Sequence, residues 1–166
     1  MSVKKMTFMA LLLAVALSIF VAEAQLPPPV PIAGVKLGLA NIVTLAALVW
    51  LGRREALTIL LGRIVLGSLF AGQAVSFIYS LAGGLMCFLV MAVILTPLGH
   101  ERLWVVSVFG AMAHNVGQII AAVLLTRTLQ VAIYLSVLII SGILSGAFTG
   151  LAAQLVVKRL NKKDQK

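Results

Sequence analysis

Acidic residues are scarce in this chain of 166 residues, where Glu23, Glu55, Glu101 and Asp164 are the only four. Carboxylates carry out much general acid and base catalysis and hold Mg²⁺ in proteins, so the chain has almost no material for either task. It also lacks a P-loop, which excludes ATP hydrolysis by that route. We therefore expect no catalytic residues, no enzyme activity and no cofactor.

Cysteine and histidine are rare as well. Cys87 is the only cysteine, so it forms no internal disulfide, and it is either a small core residue or a reactive thiol. His114 has no second histidine or cysteine nearby, so we expect no zinc site. A Ser-His-Asp triad would lack its acid, because Asp164 lies in the charged tail.

Apolar residues dominate instead: 62% of the chain is hydrophobic, 10% is charged, and the mean hydropathy is +1.16. Such a chain has too little polar surface to coat a soluble domain. We predict a single transmembrane domain, residues 1–166, with an all-α fold of six transmembrane helices. The apolar segments are 6–24, 37–51, 56–71, 75–96, 103–125 and 129–157. The second and third are short and meet at a polar turn, residues 52–55.

The basic residues predict the orientation of these helices. Ten of them fall at the termini and in the even-numbered loops, whereas the odd-numbered loops carry only Lys36 and Arg127. This asymmetry places both termini, including a short basic tail at 158–166, in the cytoplasm. The net charge of +9 then reflects topology, and no nucleic-acid partner is needed to explain it.

The N-terminal segment has two interpretations. Ala22-Glu23-Ala24 before Gln25 has the form of a signal-peptide cleavage site. Alternatively, the segment remains as the first membrane helix. The apolar run 6–22 is longer than usual for a signal peptide, so we favour the uncleaved helix.

Polar residues inside apolar segments are costly, which makes each one a candidate site residue. On the predicted topology they concentrate in the outer half of the membrane, beneath a loop, residues 25–36, stiffened by Pro27, Pro28, Pro29 and Pro31 with a pivot at Gly34. The predicted ligand-binding residues are Glu23, Lys36, Asn41, Arg63, Tyr79, Ser80, His114, Asn115 and Gln118.

Structural interpretations of these residues remain open. Glu23 and Lys36 also fit interfacial charges in water, and Tyr79 fits an interfacial aromatic. His114 also fits a packing histidine bonded by Asn115 or Gln118. Arg63 lies near the middle of its helix, so it requires an anion, a carbonyl cluster or Glu23 as its partner.

Two stripes of small residues recur at intervals of four. Ala10, Ala14, Ser18 and Ala22 lie on the first helix, and Gly142, Gly146 and Gly150 lie on the last. Such stripes let another helix approach closely, although abundant alanine also produces them by chance. We expect the first stripe to be a partner interface and the second to serve internal or subunit packing.

Three segments carry a family resemblance: GVKLGLANIVTL (34–45), SFIYSLAGGLMCFLVM (76–91) and GAMAHNVGQII (110–120). They resemble the Gx transporter family, also called heptaprenyl diphosphate synthase component I. That family is similar in architecture to the substrate-binding S components of energy-coupling factor transporters. The resemblance implies six helices, a ligand held near the outer face under the loop between helices 1 and 2, and a coupling subunit on helix 1.

Three functions are compatible with this sequence. The first is uptake of a small molecule, with an anionic group suited to Lys36 and Arg63, through a coupling subunit and ATPases. The second is a membrane subunit of prenyl diphosphate or quinone synthesis, with a cytoplasmic site at Arg53 and Arg54. The third is a self-contained oligomeric carrier associated through the glycine stripe. In each case we expect a multi-pass protein of the bacterial cytoplasmic (inner) membrane, in contact with membrane lipid.

Overall fold

Helices make up the folded chain. The computed structural model describes residues 2–27, 30, 31, 36–71 and 74–163, and within these ranges it contains helices and no strand. The α-helices are α1 (Val3–Ala24), α2 (Asn41–Trp50), α3 (Arg53–Ala71), α4 (Ala74–Leu98), α5 (Leu103–Thr126) and α6 (Leu135–Lys163). Two short 3-10 helices, Gly99–Arg102 and Leu129–Tyr134, precede α5 and α6. The predicted all-α class is confirmed.

Several boundaries differ from those predicted. The second apolar segment begins at residue 37, but α2 begins at Asn41, so the α1–α2 loop (residues 25–40) holds residues 37–40 as well as Lys36. The predicted polar turn is present, with a positive φ of 97° at Gly52. At the other terminus α6 continues through Lys163, so most of the predicted tail is helical. Pro28, Pro29, Gly34 and Asp164, which entered the predictions above, lie outside the described residues.

Three helical stretches of the described chain are long and apolar enough to cross a membrane: Val3–Ala24, Ala74–Thr126 and Leu129–Arg159. The second of these contains both α4 and α5, which have 25 and 24 residues. By contrast, α2 has 10 residues and spans about 15 Å, half of the hydrocarbon thickness. α3 is longer but carries four charged residues, including Arg63. The count of six crossings and the orientation of the termini therefore stay predictions.

Close contacts at glycines show how the helices run. Gly62 of α3 faces Leu13 of α1, and Gly67 faces Phe20, so α1 and α3 run parallel. Gly110 of α5 faces Met91 of α4, whereas Gly117 faces Ala82, so α4 and α5 run antiparallel.

The glycine stripe of α6 packs inside the chain. A Cβ added at Gly142, Gly146 or Gly150 would lie within 2.8 Å of an atom of α5, and for Gly146 and Gly150 that atom is backbone. The contact is extended by a 3.0 Å hydrogen bond between the hydroxyls of Ser107 and Thr149. Of the two packing roles expected for this stripe, the structure therefore shows the internal one.

The bundle has two chemically distinct ends. At the basic end, Lys5 forms an ion pair with Glu55, and Arg53 donates hydrogen bonds to the Ala92 carbonyl at 3.2 Å and to Thr96 Oγ1 at 2.8 Å. An apolar core fills the space between the ends; its most buried residues include Leu45, Leu60, Met91, Leu103 and Val106. The loop end is the opposite one, where the α1–α2 loop meets the helices.

Candidate functional site

Glu23 anchors the loop to α1. The buried face of α1 consists of Leu12, Ala16, Phe20 and Glu23, which a helical period of 3.6 residues aligns on one side. At the loop end of this face, the two Glu23 carboxylate oxygens accept hydrogen bonds from the Gly38 N–H at 2.6 Å and from the Leu39 N–H at 3.0 Å. Both oxygens of this buried carboxylate thus bind loop backbone.

Gly38 lets the loop backbone lie directly on the helices. Its φ of 78° is in the left-handed region, which glycine adopts without a steric penalty. A Cβ at this position would lie 2.7 Å from Asn41 Nδ2 and 2.8 Å from His114 Cδ2. A side chain at residue 38 would therefore displace the side chains of Asn41 and His114 or move the loop away from α2 and α5.

Gln118 holds the loop from the other side. With its amide oriented to match its neighbours, Gln118 Nε2 donates to the Lys36 carbonyl at 3.0 Å, and its oxygen accepts from the Lys36 N–H at 3.3 Å. The same oxygen accepts from His114 Nε2 at 3.1 Å, which assigns the imidazole proton to Nε2 and leaves Nδ1 as an acceptor. Gly83 of α4 provides the space for this pair, because a Cβ there would lie 2.8 Å from the imidazole.

Two cations lie near the Phe20 ring. Lys36 Nζ lies 3.4 Å from the ring centroid, and Arg63 Cζ lies 5.9 Å from it. Arg63 is only 3% exposed, and its Nη2 donates a long hydrogen bond of 3.4 Å to Asn41 Oδ1. Within the described residues, the one ion pair closer than 4 Å joins Lys5 to Glu55, so Arg63 does not pair directly with Glu23.

The environment of Lys36 disfavours its charged form. Burial lowers the pKa of the Lys36 amine, and the neighbouring charge of Arg63 lowers it further, whereas the Glu23 carboxylate opposes both effects. The loop amine is therefore poised in a site where a second negative charge would stabilise it.

Several buried polar atoms at the loop end have no hydrogen-bond partner among the described residues. Three are nitrogen donors, namely Lys36 Nζ, Asn41 Nδ2 and Arg63 Nε. The others are the Ser76 hydroxyl, which can donate or accept, and His114 Nδ1, which accepts. Buried polar groups are nearly always hydrogen-bonded, since each unmade bond costs about 1–3 kcal/mol. Their concentration in one region makes the loop end the candidate functional site.

The remaining predicted site residues lie around this cluster. Tyr79 of α4 packs with Val30 of the loop and Ile119 of α5, and Ser80 is buried beside it on α4. Asn115 is separate, because its Nδ2 donates to the Leu138 carbonyl across the α5–α6 interface. The structure thus brings Glu23, Lys36, Asn41, Arg63, His114 and Gln118 together and directs Asn115 toward α6.

Three further residues of the site were not among those predicted. Phe20, Gly38 and Ser76 have clear positions in it, as described above. The spacing of Phe20 from Glu23, three residues on a helix, was a usable signal, and so was a glycine between Lys36 and Asn41. For Ser76, the sequence offered no indication other than its position near the outer end of its helix.

The predicted partner stripe of α1 is uncovered. Ala10, Ala14, Ser18 and Ala22 are all exposed, on the side of α1 that does not face α3. The hydroxyl of Ser18 donates to the Ala14 carbonyl at 3.0 Å, so the stripe exposes little polar surface. A chain cut after Ala24 would lose this stripe together with Phe20 and Glu23.

The described residues contain no group of three or more His, Cys, Asp or Glu side chains placed to hold a metal ion.

Comparison with known proteins agrees with the resemblance of the three motifs. No curated protein and no solved structure matches the chain. The model of one family, described as heptaprenyl diphosphate synthase component I, matches residues 12–156, from the middle of α1 to the last turns of α6. This match covers most of the fold and all the residues that meet at the loop end, so the chain belongs to the heptaprenyl diphosphate synthase component I family.

Proposed function

We propose that this protein is a membrane-embedded small-molecule binder that captures its ligand beneath the α1–α2 loop and passes it on for uptake. The proposal likens the chain to the S components of energy-coupling factor transporters. One observation carries it: Glu23 and Gln118 hold the loop over a cluster of buried polar atoms that have no partners among the described residues. A few convergent polar groups are typical of ligand-binding sites.

The direction of capture follows from the distribution of charge. Lys5, Arg53, Arg54 and Arg102 belong to the basic end, and basic residues favour the cytoplasmic side. The loop end then faces outward, in a multi-pass protein of a bacterial cytoplasmic membrane. A ligand arriving from outside meets the loop first.

On this proposal the energy for transport comes from partner subunits, as for S components, because a chain without a P-loop does not hydrolyse ATP by that route. The exposed stripe Ala10, Ala14, Ser18 and Ala22 offers a helix surface that a transmembrane coupling subunit can approach closely. ATPases attached to that subunit would supply the energy.

The family description mentions a synthase, but several features support a binding role without catalysis. Prenyl diphosphate chemistry needs carboxylates for Mg²⁺, whereas both oxygens of Glu23 bind loop backbone. At the basic end, Arg53 donates to the Ala92 carbonyl and to Thr96, so one half of the predicted cytoplasmic diphosphate site is used to hold α4. The glycine stripe on which an oligomeric carrier would depend is covered by α5.

The test compares two glycine substitutions at opposite ends. Gly38→Ala and Gly52→Ala place a side chain at similar positive φ values of 78° and 97°, so their backbone strain is similar, at about 1–2 kcal/mol. Only the Cβ at residue 38 meets Asn41 and His114, whereas the one at residue 52 comes no nearer than 3.7 Å to Glu55. Each protein is purified, denatured, and analysed by mass spectrometry for a released small molecule.

We expect a molecule in near-stoichiometric amount from the wild type and from Gly52→Ala, and at least a severalfold loss from Gly38→Ala. If Gly38→Ala retained as much of the molecule as the wild type, the loop would have no role in binding. Reconstitution with a coupling subunit and its ATPases should then give ATP-dependent uptake of the molecule identified. Uptake without those partners would contradict the proposed dependence.

A further inference from the structure

The full charges of the loop-end cluster do not balance. With His114 counted as neutral and Lys36 counted as protonated, the form that a bound anion would favour, they come from Lys36, Arg63 and Glu23, which gives two positive charges against one negative. The Glu23 oxygens already bind the N–H groups of Gly38 and Leu39. One positive charge is therefore left over in a site from which water is largely excluded, and buried charge of this kind calls for a counterion.

The unpartnered donors of the cluster agree with this count. Lys36 Nζ, Arg63 Nε and Asn41 Nδ2 are buried and lack acceptors among the described residues. Arg63 and Asn41 are already joined through Nη2 and Oδ1, and Phe20 holds Lys36 and Arg63 at one ring. Three donors on neighbouring groups suit an oxygen anion, which accepts several hydrogen bonds at once.

The three donors lie on different structural elements, so an anion that binds all of them would also join the loop to the helices. Arg63 is on α3 and Asn41 begins α2, whereas Lys36 is on the loop. An anion bonded to all three would hold the loop against the helices. It would thereby strengthen the contacts that Glu23 and Gln118 already make.

We infer that the ligand of the proposed site presents one singly charged oxyanion, a carboxylate or a phosphodiester, to Lys36, Arg63 and Asn41, and that this group holds the loop closed. The inference rests on the proposed function and adds the class of ligand. It also separates this site from diphosphate chemistry, because a diphosphate brings two or more negative charges where one is needed.

The experiment measures stabilisation by named probes in detergent, with protein from which the co-purified molecule has first been removed by extensive dialysis. Cys87 is the only cysteine and is buried, so a thiol-reactive fluorescent dye reports unfolding directly. The probes are benzoate, its neutral isostere benzamide, and inorganic pyrophosphate; a further sample contains phosphatidylglycerol in the micelles. Benzoate tests a soluble carboxylate, and phosphatidylglycerol tests the phosphodiester of a membrane lipid.

Asn41→Asp is the decisive variant. It supplies a carboxylate in place of the amide beside Arg63, which balances the charge from within the protein. Its control is Gln130→Glu, which adds the same charge at an exposed position in the 3-10 helix before α6. Lys36→Met, with Lys36→Arg as the charge-preserving partner, tests the loop cation.

We expect benzoate to raise the unfolding midpoint of the wild type and of Gln130→Glu, and benzamide and pyrophosphate to have little effect. Asn41→Asp should unfold at or above the wild-type midpoint yet bind benzoate roughly tenfold to a hundredfold more weakly, as the loss of a charge-assisted hydrogen bond predicts. Lys36→Met should lose affinity similarly, and Lys36→Arg should restore it in part.

The outcomes separate the two proposals. Stabilisation by benzamide equal to that by benzoate, stronger stabilisation by pyrophosphate, or unchanged benzoate affinity in Asn41→Asp would overturn the oxyanion assignment and leave small-molecule binding in place. Stabilisation by phosphatidylglycerol alone would support the oxyanion but assign the site to a lipid, against the uptake function. No stabilisation by any probe, with no molecule released from the wild type, would overturn both.

Discussion

At the basic end of the bundle, Lys5 pairs with Glu55 and Arg53 donates to Ala92 and Thr96. At the loop end, Lys36 and Arg63 have no carboxylate within ion-pairing distance among the described residues, and three donors lack acceptors. The charges of the basic end are exposed or partly exposed, so water stabilises them as well. Those of the loop end are largely buried, where an unmatched charge is costly. The chain thus pairs its charges at the basic end, whereas among the described residues Lys36 and Arg63 have no carboxylate partner at the loop end, where we propose that a ligand binds.

Removal of Glu23 or of Glu55 should show this contrast most strongly. Glu23→Ala removes a buried carboxylate, frees the N–H groups of Gly38 and Leu39, and leaves two cations together, so we expect a loss of roughly 3–5 kcal/mol in stability. Glu55→Ala removes a partly exposed ion pair and should change stability little. Thermal unfolding gives the stabilities, and hydrogen exchange at Gly38 and Leu39 should rise only in Glu23→Ala. Similar losses from both variants would contradict the contrast between the ends.

Replacing an arginine by methionine should change stability in opposite directions at the two ends. Arg63→Met replaces a buried cation that lacks a carboxylate by an apolar side chain of similar length, so we expect stability to rise by about 1–4 kcal/mol while retention of the co-purified molecule is lost. Arg53→Met removes two hydrogen bonds at the basic end and should lower stability by about 0–1 kcal/mol without affecting retention. The unfolding midpoint and mass spectrometry of each variant provide both readouts. A large loss of stability in Arg63→Met would mean that Arg63 is structural.

The aromatic residues should produce the smallest effect. Phe20 contacts Lys36 and Arg63 at the loop end, and Phe8 packs against Trp50 with ring centroids 5.9 Å apart. Phe20→Leu should cost about 0.5–2 kcal/mol of cation–π energy, and Phe8→Leu about 0.5–1.5 kcal/mol of aromatic contact. Only Phe20→Leu should also weaken retention of the co-purified molecule, by a fewfold. Equal weakening by both would show that retention follows stability in general.

Much of the fold could be predicted from hydrophobic runs. Each of the six apolar segments corresponds to one α-helix, and the turn at Gly52 separates two of them as expected. The start of α2 could not be placed, because residues 37–40 are apolar and the positive φ of Gly38 that ends the loop is not visible in composition.

The site was predicted in part, for a similar reason. Glu23, Lys36 and Asn41 are close in sequence around one loop, so their meeting followed from topology. His114 and Asn115 are adjacent, yet one faces the loop and the other faces α6, since neighbouring residues point about 100° apart on a helix. Helical periodicity predicts that the two side chains point in different directions, but it does not predict which one faces the loop.

The two small-residue stripes illustrate the difference between what the sequence determines and what the tertiary structure decides. The sequence by itself determined a membrane protein of helices, its family, the scarcity of carboxylates and the excess of cations over carboxylates, because these depend on residue type and order. Only the tertiary structure decided that the stripe of α6 is covered by α5 while that of α1 is exposed, and that the Glu23 oxygens bind the loop and leave Lys36 and Arg63 without a carboxylate partner. A pattern along one helix fixes which residues share a face, but which neighbour covers that face depends on packing between elements distant in sequence.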